Sequence, residues 1–223
     1  MQAIRTHAHL LSYISRERIR EEFNRILLQD YPDTLQLLKE MRVLDIIAAG
    51  YTKLMNKEQN NPWHIYDVFT HTDVALNHTK GMALEGKLAI IFHDTGKPAC
   101  ETLDADGISH YYGHAQKSVE LARCWLKKLH YDNRTIQRVL RCIAYHDYNL
   151  TPKKSTLRRY LSKFDNQLED ALLALDVQLA DQLAKNPEPA ANGVRIIRQC
   201  KELLLHMHAE EEPLSLHCLL YTS

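Results

Sequence analysis

The stretch "KLAIIFHDTGKPA" sets five apolar residues, Leu88 to Phe92, directly before His93 and Asp94. A run suited to a core thus delivers an imidazole and a carboxylate to the point where Gly96 and Pro98 break the element. Burying a charge is costly unless it is paired or binds a metal. A neutral imidazole suits a transition metal, and a carboxylate suits harder ions as well. On the dipeptide alone, a polar pair closing a helix, with Gly96 as its C-terminal stop, is the simpler reading. Other residues shift the balance. "VFTHTDVAL" puts His71 among Val68, Val74 and Ala75. "YYGHAQKS" sets His114 at a helix start, and "CIAYHDYN" sets His146 near a helix end. "DVQLADQLAKNP" carries Asp181 in an apolar stripe with Leu175, Leu179 and Leu183. An isolated buried Asp is expensive, and several such groups cost less if they meet at one metal.

The elements that would position these groups read as helices. The chain has 223 residues, 45% of them hydrophobic, with only seven Gly and seven Pro. That length gives one large domain or two small ones. Leu, Ala, Lys, Arg, Gln and Glu dominate, and all are good helix formers. Apolar residues recur at helical period through most segments. The expected helices lie near 15–28, with Ser15 as N-cap, and from Pro32 onward; then near 64–79, 84–95, 114–129 and 132–147; then near 155–163, 167–185 and 190–209. Asp106-Gly107 is a turn signal and allows one small hairpin. The fold class is therefore all-α. The expected organisation is a helical segment over 1–55, a second unit over 62–150, a third over 151–210 and a tail over 211–223.

Lys plus Arg and Asp plus Glu both number 28, so net charge says nothing about nucleic acid. The five cysteines are odd in number, widely spaced and without a CxxC, which fits free thiols in a reduced, cytoplasmic compartment. No apolar run approaches the ~18 residues that a membrane span needs, and no signal peptide is visible. Locally, "TPKKSTLRRYLSK" holds Lys153, Lys154, Arg158, Arg159 and Lys163 without an acid. Arg134, Arg138 and Arg141 share a helical face by spacing. Both stretches could neutralise RNA phosphates, or be ordinary solvated faces.

The order His, then His-Asp, then Asp resembles the pattern of the HD-domain metal phosphohydrolases. The resemblance assigns His71, His93, Asp94 and Asp181 to its four positions. His114 and His146 sit where histidine-rich members carry extra ligands. Tyr145 stands where those members often have the first of two adjacent histidines, a departure that counts against a full two-metal site. Asp176 is a rival for the last position, although "AD" before a helical tail, at Asp181, is closer to the family. The resemblance implies a divalent cation (Mg, Mn, Ni or Co), a small phosphate-ester substrate, and His93, Asp94 and Lys97 as the catalytic set. Lys97 would meet phosphate charge, or simply be a solvated lysine at a helix C-terminus.

The flanks narrow the family. "AIRTHAHLLSYISRERIREEFNRILL" is similar to the neck of bacterial CCA-adding tRNA nucleotidyltransferases and related poly(A) polymerases, with Glu17 and Arg18 in the "ISRERIREE" run. "HIYDVFTHT", "FHDTGKP", "DGISHYYGH" and "ADQLAKNP" follow in the family's order. This resemblance implies tRNA as partner, ATP and CTP as cosubstrates of the parent, no membrane association, and a homodimer as one assembly. The family's catalytic head has a Gly-rich turn before two strand carboxylates. The D-x-D of this chain, Asp104 and Asp106, lies in a turn without that glycine pattern and reads as a decoy. Met1 is thus expected to begin a piece of a longer protein, without nucleotidyl transfer of its own. "CLLYTS", Cys218 to Ser223, resembles a translated library-adapter end. Two rivals remain: an independent HD phosphohydrolase, and a non-enzymatic RNA-binding or dimerisation module.

Overall fold

A computed structural model describes residues 2–211. Thirteen helices and one short hairpin are present among them. α1 (Gln2–His7) runs into a 3-10 turn, Ala8–Tyr13, followed by α2 (Arg16–Leu28), α3 (Thr34–Glu40), α4 (Leu44–Ile47) and α5 (Tyr51–Met55). After a loop come α6 (Val68–Asn77), α7 (Leu84–Phe92) and α8 (Lys97–Cys100). β1 (Thr102–Leu103) pairs antiparallel with β2 (Ser109–His110), with Thr102 opposite His110. α9 (His114–Lys128), α10 (Asn133–Ala144), α11 (Lys154–Ser162), α12 (Leu168–Leu183) and α13 (Pro187–Glu211) complete the order. The all-α expectation holds, and the hairpin turns at Gly107 with φ +74°. The proposed tail over 211–223 lies, apart from Glu211, outside the described residues.

α7 is the axis of the bundle. Gly86 through Phe92 are all buried, as expected of a helix apolar on every side. It packs on α6, α9, α10 and α12, and on α2 from the N-terminal segment. Lys87 is the exception within it, only 2% exposed. Its ammonium is satisfied by Asp30, by the Thr79 carbonyl at 2.9 Å and by Thr79 Oγ1 at 3.2 Å. Asp30 belongs to the turn after α2, so this pair ties the N-terminal helices to α7. Asp73 Oδ1 accepts the Leu35 N–H at 3.0 Å and ties α3 to α6 in the same way.

Several ends differ from the spacing-based expectation, each for a local reason. Ser15 does cap α2, accepting the Arg18 N–H at 3.3 Å. α6 begins at Val68 instead of near 64, because Asp67 accepts the Thr70 N–H at 2.7 Å as N-cap. α7 stops at Phe92, so His93 and Asp94 lie in the turn beyond it. Gly96 is not a left-handed stop, since its φ is −81°. Its lack of a side chain serves close approach instead: a Cβ there would sit 2.3 Å from the His114 carbonyl and 2.7 Å from the Ser118 nitrogen. α13 starts at Pro187 rather than near 190, with proline at its first position. Cys100, Cys124, Cys142 and Cys200 are free thiols. Among the described residues, no helix is long and apolar enough to cross a membrane.

Candidate metal centre

Three elements bring four polar residues together at one end of α7. α6 supplies His71, the turn after α7 supplies His93 and Asp94, and α12 supplies Asp181; each is no more than 2% exposed. One ligand atom from each lies within 4.8 Å of all the others. His71 Nε2 is 2.9 Å from Asp181 Oδ1 and 3.8 Å from Asp94 Oδ2. His93 Nε2 is 3.2 Å from Asp94 Oδ2 and 3.4 Å from Asp181 Oδ1.

His114, from the first turn of α9, and His146, just past α10, form a second group around the same aspartate. Their Nε2 atoms lie 3.4 and 3.8 Å from Asp94 Oδ1, and 3.1 Å from each other. The two oxygens of Asp94 therefore face different histidines. Tyr145 takes no part, its ring packing on Tyr148 and Phe164. Asp176 is also elsewhere, paired with Lys201 at 2.5 Å.

The rings are aimed by local hydrogen bonds. His93 Nδ1 donates to the Ile90 carbonyl at 2.7 Å, His114 Nδ1 to Tyr111 at 2.8 Å and His146 Nδ1 to Ile143 at 2.7 Å. Each carbonyl is three residues back. A proton on Nδ1 leaves the Nε2 lone pair of a neutral ring facing inward, as a metal ligand requires. His114 and His146 then point lone pairs at each other, which calls for a proton or a cation between them. His93 Nε2 and Asp94 Oδ2 are buried without a hydrogen bond. Asp94 Oδ2 does have an ion-pair partner, Lys97 Nζ at 2.7 Å, outside hydrogen-bond geometry. Buried polar atoms without partners need an explanation, and this donor set of imidazole nitrogens and carboxylate oxygens fits a divalent transition-metal ion.

Electrostatics agree with a site built around positive charge. Burial disfavours a charged His93, but the Asp94 charge and contacts with Asp181 outweigh it and carry the ring up to about 9. Burial opposes the Asp94 carboxylate too, yet His93 and Lys97 hold it well below the usual range. Asp181 is held low against its burial by Lys185 and His71. Burial, then His93 and His114, push His146 down to about 4. Without metal, an imidazolium at His93 supplies the charge between two carboxylates, a role that a divalent cation would take over.

A cavity of about 680 Å³ opens from this cluster to solvent. Lys97 is buried in its wall, with Nζ also 2.6 Å from Gln59 Oε1. Lys185, which the spacing argument passed over, stands opposite with Nζ 2.6 Å from Asp181 Oδ2. It lies four residues after Asp181, just past the end of α12, and that spacing was a pairing signal present in the sequence. His64 is a second omission: it packs edge-on against His71 with centroids 4.9 Å apart. Burial, then Lys97 and His71, press its ring down to about 2.

The basic stretches are only partly free. Arg138 is held by Asp170 at 2.7 Å and Glu85 at 2.9 Å, and Arg141 pairs with Asp165. Lys154 pairs with Glu210 at 2.7 Å, and the Arg158 charge also acts on Glu210. Arg134, Lys153 and Arg159 are exposed, and among the described residues no ion pair engages them. Glu17 pairs with His130 at 2.5 Å, while Arg18 lines an apolar groove with Ile19, Phe23 and Leu38. Asp104 accepts the N–H groups of Asp106 and Ile108, at 3.0 and 2.9 Å, so this D-x-D is a turn device.

Two comparisons bear on identity. Residues 1–54 match a family model described as "Probable RNA and SrmB- binding site of polymerase A". The CC-adding tRNA nucleotidyltransferase of Thermus thermophilus is 30% identical over 183 residues, covering 79% of this chain and 41% of that protein. The chain thus spans about two-fifths of the length of this curated relative. Through the region they share, the chain is similar to a tRNA nucleotidyltransferase, and over residues 1–54 to an RNA-binding segment of polymerase A.

Proposed function

We propose that this chain is the RNA-binding and metal-binding portion of a tRNA nucleotidyltransferase. The observation that carries this reading is the 30% identity over 183 residues to a CC-adding enzyme. In this reading residues 1–55 contact RNA, and 62–150 with 151–210 form an HD-type unit. The whole enzyme, working in the cytoplasm, would extend tRNA 3′ ends using CTP, and ATP where adenosine is added, with magnesium. The Asp104 carboxylate accepts the Asp106 and Ile108 N–H groups within its own turn, so nucleotidyl transfer is assigned to residues other than this D-x-D. The test is incubation of the purified chain with tRNA and labelled CTP. The reading expects salt-sensitive tRNA binding without incorporation; incorporation by the chain alone would refute it.

The cluster supports a second activity of the same chain, hydrolysis of phosphate esters. His71, His93, Asp94 and Asp181 would hold a divalent cation, with His114 and His146 available on the other side of Asp94. When bound, such a cation supplies Lewis acidity toward a phosphate oxygen and acidifies water. The chain's own contribution is charge and orientation. Lys97 and Lys185 already balance Asp94 and Asp181, so with neutral histidines a divalent cation leaves the cavity positive and suited to a phosphate. A panel of phosphate esters with Mg, Mn, Ni or Co tests this: turnover should disappear in Asp94→Ala. No metal-dependent turnover by the wild type would favour a non-enzymatic RNA-binding module.

A further inference from the structure

The mouth of the 680 Å³ cavity carries two large aromatic residues that the bundle does not cover. Trp63 is 52% exposed and Tyr112 is 79% exposed. Scattered surface aromatics need no explanation, but these two border the same opening from different segments. Trp63 lies in the loop before α6, and Tyr112 in the turn between β2 and α9.

Both segments are held firmly. The Asn186 N–H donates to the Trp63 carbonyl at 2.9 Å, and Asn186 Nδ2 to the Pro62 carbonyl at 3.2 Å. The Trp63 N–H donates to Asn61 Oδ1 at 3.1 Å. On the other side, the Ser109 N–H donates to the Asn60 carbonyl at 2.9 Å, joining the loop to the hairpin. The Tyr112 ring stacks on His110 with planes 3° apart. The backbone of both segments is therefore fixed, while the Trp63 ring and the Tyr112 face turned away from His110 stay open to solvent. Between them and the metal-ligand cluster, His64 Nδ1 is buried without a partner, and Lys97 and Lys185 present ammonium groups. The volume lies in the range of small-molecule sites. Open aromatic faces at the rim, a polar wall and a floor that a bound divalent cation would make positive match a nucleobase joined to a phosphate. Stacking on aromatic side chains accepts any base.

We propose that Trp63 and Tyr112 are the specificity-determining residues of this cavity, stacking the base of a nucleotide whose phosphate is directed to the floor. The proposal rests on the phosphate-ester reading above. The probes are non-hydrolysable phosphonate analogues of AMP and of ribose 5-phosphate, titrated calorimetrically into the full chain with Mn²⁺ present. The wild type should prefer the AMP analogue by roughly 5- to 100-fold. Trp63→Ala or Tyr112→Ala should remove most of that preference while leaving the affinity for the ribose analogue within about twofold, as expected if the ring contributes only stacking. Trp63→Phe should retain it, and all three variants should melt like the wild type because the side chains are exposed. Equal affinity of the wild type for both analogues, or a preference that survives both alanine variants, overturns the base platform alone. Binding of neither analogue overturns the phosphate reading and the platform with it. A terminal phosphate on RNA presents the same chemistry: a 3′-phosphorylated trinucleotide that displaces the AMP analogue more tightly than AMP assigns the platform to a chain end, and weaker displacement assigns it to a free nucleotide.

Discussion

Gly96→Ala tests how the two histidine groups are held on either side of Asp94. The added Cβ would lie 2.3 Å from the His114 carbonyl and 2.8 Å from Lys117 Cβ. Ordinary contact begins near 3.4 Å, so the first turn of α9 must retreat by about 1 Å (3.4 minus 2.3). The contact atoms include backbone, so no side chain can simply swing away. Overpacking of this kind costs about 1–3 kcal/mol. The retreat also strains the hydrogen bond from the Gly96 N–H to Ser118 Oγ, 2.8 Å long, worth about 1 kcal/mol. Against this, alanine accepts the local φ of −81° and restricts the unfolded chain, returning about 0.4–1 kcal/mol. The net is about 2 kcal/mol of destabilisation, or a fall in Tm of about 4–8 °C for a chain of this size. His114 should also draw away from Asp94, whereas His71, His93 and Asp181 are held by α6, α7 and α12. Thermal unfolding read by circular dichroism, with Mn²⁺ or Ni²⁺ binding measured on the same samples, checks both parts. A Tm equal to or above that of the wild type would refute the close approach as drawn.

Asp30→Asn removes the anionic partner of buried Lys87 and should cost about 3 kcal/mol at pH 7, the low end for a buried pair because Asp30 is partly exposed. The Lys87 bond, with the Gly81 N–H, holds the Asp30 carboxyl below its ordinary 3.8. A lowered carboxylate stabilises the fold fully above the unfolded value and loses that effect as pH falls through the folded one. The gap between wild type and variant in urea titrations should therefore shrink below about pH 4, and a constant gap would contradict the assignment. Chelator-treated protein should gain about 2.7 kcal/mol of stability at a metal concentration 100 times Kd; His93→Ala should show no such gain in melting experiments. In tRNA binding, Arg134→Ala and Arg159→Ala should each flatten the slope of log affinity against log salt by roughly 0.7–0.9 if they touch phosphate. Arg138→Ala should instead lower Tm and leave the slope unchanged, since its guanidinium is already committed to Glu85 and Asp170.

What could be read ahead of the structure followed the range of the interactions. His93 and Asp94 were visible because two polar groups follow five apolar ones, and Asp181 because it interrupts an apolar stripe. Family order, more than spacing, distinguished Asp181 from Asp176, and the geometry brings Asp181 to the cluster while Asp176 meets Lys201. Gly96 looked like a helix stop because nothing local reveals the backbone of α9, 18 and 22 residues later in the chain at His114 and Ser118. The arginine face over 134–141 looked free for the same reason: Glu85 is 53 residues from Arg138 and Asp170 is 32. His64 carried no helical signal, lying in the loop ahead of α6. The α6 start was legible in principle, since Asp67 precedes Thr70 by the three residues of an N-cap.

The ring-to-carbonyl bonds of His93, His114 and His146 each close over three residues. The aim of these imidazoles is therefore encoded within single turns, before any long-range packing is considered. Rotamer freedom that a ligand-binding side chain would otherwise surrender on capture, up to ~1–2 kcal/mol for a long side chain, is already lost when the turns form. A cation entering this pocket would meet rings that need no reorientation. Its affinity would then be governed by dehydration and by displacement of the proton on His93, and its rate of entry by the width of the cavity mouth. The same economy makes the arrangement portable: a chain that keeps these three turns keeps the direction of three nitrogen lone pairs, even where the surrounding helices have drifted in sequence.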